Sequence, residues 1–164
     1  MKIRWVFSYV AMSNGSVANV LQTMGQPREA LPNAQRALQR ITELDGPEHP
    51  GRLRILQLNG VILERLGRRQ QAISLLREAL RRRAKVLGVN HAETAGFAWA
   101  LGRCFMADPA TRPEAEQLLL AAWRDYTGSR VPQHPVSKQI AATLAAFYHG
   151  HNQDSSRAWT ARAE

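Results

Sequence analysis

Apolar and polar residues alternate along this chain with helical spacing. Leu53, Leu56, Gly60, Leu63 and Leu66 recur at steps of three and four, which puts one apolar face on a helix. Gly67 ends that pattern and Arg68-Arg69 fill the turn. A second face follows in Ala72, Leu75, Leu76, Ala79 and Leu80, and it runs to about Leu87, where Gly88 stops it. The same reading predicts helices near 12–24 and 28–44, 52–66 and 69–87, 92–106 and 113–126, and 136–149 and 154–163. Residues 1–11 are left open: they either extend the first helix or are the remnant of a preceding unit.

The helices come in pairs because the sequence repeats. Gly25 and Gly67, Ala30 and Ala72, Ala37 and Ala79, and Gly60 and Gly102 are each 42 residues apart. The loop string GPEHP at 46–50 returns as GVNHA at 88–92 and as VPQHP at 131–135. Ala72 to Ala115 and Ala79 to Ala122 span 43, so one residue is inserted after Gly102, and the Pro-rich DPATRP at 108–113 is the natural place. Small residues recur at matched positions, which lets neighbouring helices approach closely: Ala30, Ala72 and Ala115; Ala37, Ala79 and Ala122; Ala18, Gly60, Gly102 and Ala145. A unit of this kind cannot bury its apolar face alone and stacks on the next. The expected fold is all-α, an α-solenoid of about four antiparallel helix pairs, with units near 12–45, 46–87, 88–130 and 131–164. The last unit is short, with Ser155, Ser156 and Trp159 where apolar residues should run. Neither end reads as a polar cap, so the chain is expected to belong to a larger protein or to form a homo-oligomer.

Composition narrows the picture. A chain of 164 residues can bury a core without staples. No run of about 18 apolar residues is present to span a membrane. Lys2 and Arg4 before Trp5–Met12 have some signal-peptide character, but Ser8 and Tyr9 break the apolar stretch and no cleavage site follows. The lone Cys104 cannot form an internal disulfide, which suits a reducing, cytoplasmic setting. The net charge of +9 is concentrated: residues 51–87 hold ten Lys or Arg against Glu64 and Glu78.

Candidate chemistry is sparse. His49, His91 and His134 recur in successive linkers about 10 Å apart, the spacing of packed helices, which is too far to share one ion. They read as structural. His149 and His151 lack a third ligand nearby in sequence. Cys104 sits inside a helix and reads as packed rather than reactive. Neither GRR at 67–69 nor GSR at 128–130 has the spacing of a phosphate loop. No metal, cofactor or catalytic activity is therefore expected. Arg77, Arg81 and Lys85, four apart, form a basic outer stripe, and Arg82 follows Glu78 by four in a favourable order. A solvated face accounts for the stripe; contact with an acidic surface is the functional alternative. Nucleic acid is the lesser option, since the stretch has no aromatic residue on which a base could stack.

Ala100-Leu-Gly-x-x-Phe to Phe105, followed by Ala115, Leu119 and Ala122, resembles a tetratricopeptide repeat. The period of 42 and the linker LGVNHAETA at 87–95 resemble the long subtype of kinesin light chains, with Ala92 in place of a proline. That subtype also occurs in bacterial regulators and after the kinase domain of bacterial serine/threonine kinases, whose tails the ending AATLAAFYHGHNQDSSRAWTARAE resembles. Two positions depart from the pattern: Asn59 stands where the family has Leu, and Pro109 where a Gly is expected. The resemblance implies a protein- or peptide-binding scaffold. By family register the inner surface receives Asn19 and Gln22; Arg54, Gln57, Val61, Glu64 and Arg65; Trp99, Arg103 and Met106; and Ala142, Ala146 and His149. Trp99 with Arg103 is the pair expected to matter most for a partner carrying acidic groups. Asn19 matches one place of the carboxylate clamp of chaperone-binding members, but Val61 occupies the next. The alternative function is the regulatory segment of a kinase or similar signalling protein.

Overall fold

The computed structural model describes residues 2–45, 50–129, 134–149 and 151–164, with side chains for 13–44, 51–128, 134–149 and 151–164. These residues form eight α-helices and no strand. They are α1 (Lys2–Thr23), α2 (Pro27–Asp45), α3 (Pro50–Arg65), α4 (Arg69–Leu87), α5 (Ala92–Phe105), α6 (Arg112–Ser129), α7 (Pro135–Tyr148) and α8 (Gln153–Ala163). Helix α1 begins at Lys2, so residues 2–11 continue the first helix. Helices α2, α4 and α6 start at Pro27, Arg69 and Arg112, and α3, α5 and α7 at Pro50, Ala92 and Pro135, so both series repeat at 42 and then 43.

The tight turns have a defined chemistry. Gly25 and Gly67 adopt φ of 77° and 74°, which costs an L side chain energy and glycine nothing. Each places two N–H groups on orphan carbonyls of the helix it ends. Gly25 N donates to Gln22 O and Gln26 N to Leu21 O; Gly67 N donates to Glu64 O and Arg68 N to Leu63 O. This is the Schellman pattern. The third hairpin has no such glycine. A 3₁₀ turn over Pro109–Thr111 bridges α5 and α6 instead. Asp108 Oδ1 accepts from Ala110 N at 3.0 Å, and Thr111 Oγ1 donates to Phe105 O at 3.0 Å. That turn absorbs the extra residue, and it explains Pro109 where a glycine was expected.

The recurrent histidines open helices. His91 Nδ1 accepts from Glu93 N at 3.1 Å and caps α5. His134 Nδ1 accepts from Val136 N at 3.2 Å, caps α7, and also meets the Tyr126 hydroxyl at 3.1 Å. At α7 the His134-Pro135 pair thus supplies a cap and then a proline at the first helical position, where its missing N–H is harmless, while at α5 Ala92 takes the proline's place. His49 lies outside the described residues.

The chain divides into two compact units, Met1–Arg82 and Arg83–Glu164. In the first, α1 packs on α2 and α2 on α3. Ala18, Ala30, Ala37, Ala72 and Ala79 are fully buried there, around Leu56, Ile62 and Leu76. In the second, α5 packs on α6, α6 on α7 and α7 on α8. Its core holds Ala115, Ala122, Phe97, Leu119, Ile140 and Leu144. The methyl-sized side chains at the contacts hold helix axes at roughly 8–10 Å. Asn59, in the family's Leu position, is 2% exposed. Its amide nitrogen donates to Ala34 O at 3.0 Å and Ile55 O at 2.9 Å, so the polar group ties α3 to α2.

Candidate functional site

In the first unit, α1 and α3 enclose a cleft of about 240 Å³ lined by Asn19, Arg54, Gln57 and Leu58, with Gly15 and Ile55 among the other walls. Gly15 and Ile55 touch closely: a Cβ on Gly15 would stand 2.5 Å from Ile55 Cδ1. Asn19 and Arg54 are exposed and Gln57 is half-buried. Two amides and a guanidinium thus converge on one cleft, a set suited to carboxylate or backbone carbonyl groups. Val61, one turn beyond Gln57, is half-buried. Gln22 is buried, and its carbonyl accepts from Arg65 Nη1 at 2.7 Å. Arg65 is therefore tied to the end of α1.

In the second unit, Trp99 is half-buried and its indole N–H donates to Thr143 Oγ1 of α7 at 3.0 Å. Thr143 in turn donates to Gln139 O at 2.9 Å, which leaves its oxygen lone pairs toward the indole. The Arg103 guanidinium stands 5.7 Å from the centre of the Trp99 ring, within cation–π range. Met106 is half-buried, while Ala142, Ala146 and His149 are exposed on or just past α7. The indole is fixed at its polar end and partly open, so it belongs wholly neither to the core nor to solvent.

The basic stretch resolves into different environments. Arg77, Arg81 and Lys85 are exposed. Arg82 pairs with Glu78 at 3.2 Å, as their spacing predicts. Arg52 reaches the same carboxylate at 3.4 Å, and its Nε donates to Thr42 Oγ1 at 3.0 Å. Arg83 is only 5% exposed; it pairs with Glu93 and its guanidinium lies 5.6 Å from the Phe97 ring. The charge count gave no sign of this, because a long side chain can fold inward beside exposed neighbours. A similar arginine went unread in α6. Arg112 Nη2 donates to Phe147 O at 2.6 Å, with the guanidinium 4.8 Å from the Phe147 ring.

Other polar groups serve packing. Tyr148 donates to Glu116 Oε1 at 2.5 Å. Burial, reinforced by that carboxylate, pushes the Tyr148 phenol up to about 12. Trp159 meets Trp123 edge-on at 5.1 Å, which anchors the short α8. Cys104 is buried. Among the described residues no three His, Cys, Asp or Glu side chains gather as metal ligands, and no helix is long and apolar enough to cross a membrane.

Residues 9–85 match the tetratricopeptide repeat family. Among solved structures, the chain is similar to a Podosopora anserina protein with nearly identical TPR-like repeats, assigned as a kinesin light chain. The TM-score is 0.78 at 22% identity, over 96% of this chain and 74% of that one. A variant of the same protein gives 0.77 at 23% identity, with the same coverage. BtubC (BKLC) from P. vanneervenii gives 0.75 at 21% identity, over 96% of this chain and 62% of that one. No match was found among curated proteins. At these identities the likeness is one of fold. The fold is all-α, of the tetratricopeptide, kinesin light chain-like kind, as the 42-residue period implied.

Proposed function

We propose that this chain is a protein-binding scaffold whose first helices present anchors for a peptide or protein segment carrying acidic groups. The tetratricopeptide fold generally mediates protein–protein interaction, and its members are typically non-catalytic. The observation that carries the reading is the meeting of Asn19 with Arg54 and Gln57 in one cleft between α1 and α3. Arg54 has no ion-pair partner among the described residues, so a ligand carboxylate there meets an uncommitted guanidinium. In the second unit, the half-open Trp99 ring with Arg103 above it offers an aromatic anchor beside a cation, the residue types that dominate hot spots.

The test begins with a pull-down from the native organism, followed by calorimetric titration of the recovered partner. Arg54→Ala and Arg103→Ala should each weaken binding by about 1.5–3 kcal/mol, the range for a hydrogen bond to a charged group. Trp99→Ala should cost about 2 kcal/mol or more. Arg77→Glu with Arg81→Glu, on the outer stripe, should alter mainly on-rate and salt dependence. Circular dichroism checks that each variant keeps its helicity. If the outer-stripe variant abolishes binding while the three others bind like the wild type, the first helices are the wrong surface.

A further inference from the structure

The α1–α2 and α3–α4 turns of the first unit enclose a second, larger cavity of about 710 Å³. It lies at the opposite end of α3 from the Arg54 cleft. Arg28, Arg65 and Arg68 line it, and among the described residues Glu29 is the only acidic one on its wall. Arg28 and Arg68 are exposed, and neither makes an ion pair among the described residues. The third guanidinium is held in place, because Arg65 Nη1 donates to Gln22 O at 2.7 Å. Three guanidiniums around one open cavity repel one another. Among the described lining residues one carboxylate, that of Glu29, is set against them.

Leu31 and Leu66 add apolar surface to the same wall. Leu31 is 7% exposed and Leu66 half-buried, so a narrow apolar strip adjoins the cations. A free inorganic anion has no use for such a strip, whereas a peptide with an apolar residue next to an acidic one uses both. Guanidinium forks match the planar edge of a carboxylate or the oxygens of a phosphoryl group, and two or more together favour a multiply charged oxyanion. Among the described residues of the wall no aromatic ring offers a base a stacking platform, which argues against nucleic acid.

We infer that the turn-edge cavity around Arg28, Arg65 and Arg68 is a second docking site, which takes an oxyanion-bearing peptide segment of a protein partner. The oxyanion is a cluster of carboxylates or a phosphoryl group. The site does not depend on the Arg54 cleft and can stand if that reading fails.

Fluorescence anisotropy on the full chain at about 0.15 M ionic strength, where distant charges are screened, tests it. The probes are a labelled all-glutamate peptide, a Gly-Leu peptide carrying one phosphoserine, the same peptide unphosphorylated, and a short oligothymidylate. One or both acidic peptides should bind, and the stronger identifies the source of the oxyanion. The neutral peptide should not bind. Arg28→Ala with Arg68→Ala should weaken the acidic probe by about tenfold or more, as loss of charge-assisted bonds implies. Arg65 is left in place because its bond to Gln22 supports α1. Arg81→Ala with Lys85→Ala removes the same charge elsewhere and should change affinity less than about twofold. Should the double alanine variant lose helicity, Arg28→Gln with Arg68→Gln, which keeps the polar stems, decides the matter. The inference is overturned if neither acidic peptide binds, if the cavity variant binds like the wild type, if the Arg81 and Lys85 variant loses as much, or if only the oligothymidylate binds.

Discussion

Gly60 sits in the middle of α3 with no room for a side chain. A Cβ built there would lie 2.5 Å from Leu76 Cγ, 2.7 Å from Cδ2 and 3.2 Å from Cδ1. Leu76 is fully buried, so it has little freedom to withdraw. Its closest atom is the branch point rather than a terminal methyl, so relief needs a change at χ1 and an off-rotamer cost of about 0.5–1.5 kcal/mol. Overpacking as a whole costs about 1–3 kcal/mol. Against this stands the helix propensity of Ala over Gly, worth about 0.8–1.0 kcal/mol. Gly60→Ala should therefore destabilise the fold by a net of about 1 kcal/mol. Two internal controls share the propensity gain. At Gly15 the Cβ would meet one close atom, the terminal Ile55 Cδ1 at 2.5 Å, with the next at 3.8 Å. That methyl can swing aside, so Gly15→Ala should stabilise by about 0.5 kcal/mol. At Gly102 the contacts with Leu119 are 3.0 Å, and the variant should fall between the two. Urea denaturation followed by far-UV circular dichroism gives the ranking. A double-mutant cycle isolates the cause. With Leu76→Ala in the background, Gly60→Ala should become stabilising by most of the propensity term. If Gly60→Ala is as stable as the wild type, or costs the same in the Leu76→Ala background, the close approach is not what demands the glycine.

Two further outcomes rest on single side chains. His134→Ala removes the acceptor for Val136 N and the partner of the Tyr126 hydroxyl, and it should cost about 0.5–2 kcal/mol in the same denaturation assay; an unchanged midpoint would remove the capping role. The Tyr148 phenol, raised in the folded state to about 12 from its ordinary 10.0, contributes stability that is full below pH 10 and is lost as pH rises through about 12. Thermal melts across that alkaline window should show Tyr148→Phe losing less than the wild type, and parallel losses would show that the phenol–Glu116 contact has no part.

The helices were legible because their signals are local. Gly25 and Gly67 end α1 and α3 by backbone conformation alone, and a residue that readily adopts positive φ is visible in a string of letters. The alanines at 72 and 79 betrayed their burial by recurring at the spacing of a helix contact, and both are 0% exposed. Histidine gave less away. Its repetition marked it as structural, but the bond from a ring nitrogen to the second N–H of a helix appears only in three dimensions. Arginine gave least. Arg65, Arg83 and Arg112 look like their exposed neighbours in sequence, yet each reaches a partner set by tertiary packing: Gln22 O, Glu93 and Phe147 O. Asn59 was visible as an exception, while its partner on α2, 25 residues earlier in the chain, was not. The inner-face positions came from family register, and the cleft that gathers Asn19, Arg54 and Gln57 needed coordinates to be seen.

The extra residue between α5 and α6 has a wider consequence. A shift of one position inside a helix would rotate every later side chain by about 100°, and the apolar face would leave the core. Here the shift falls between Asp108 and Arg112, where a short turn with its own cap takes it up, and Ala115 and Leu119 still arrive fully buried. Helix phase in this chain is thus set afresh at each cap rather than counted from the start. The turns work like punctuation in a text, which lets one sentence lengthen without garbling the next. Copying errors that land in them can survive as insertions, and repeats of unequal length can descend from equal ones without passing through an unfolded ancestor.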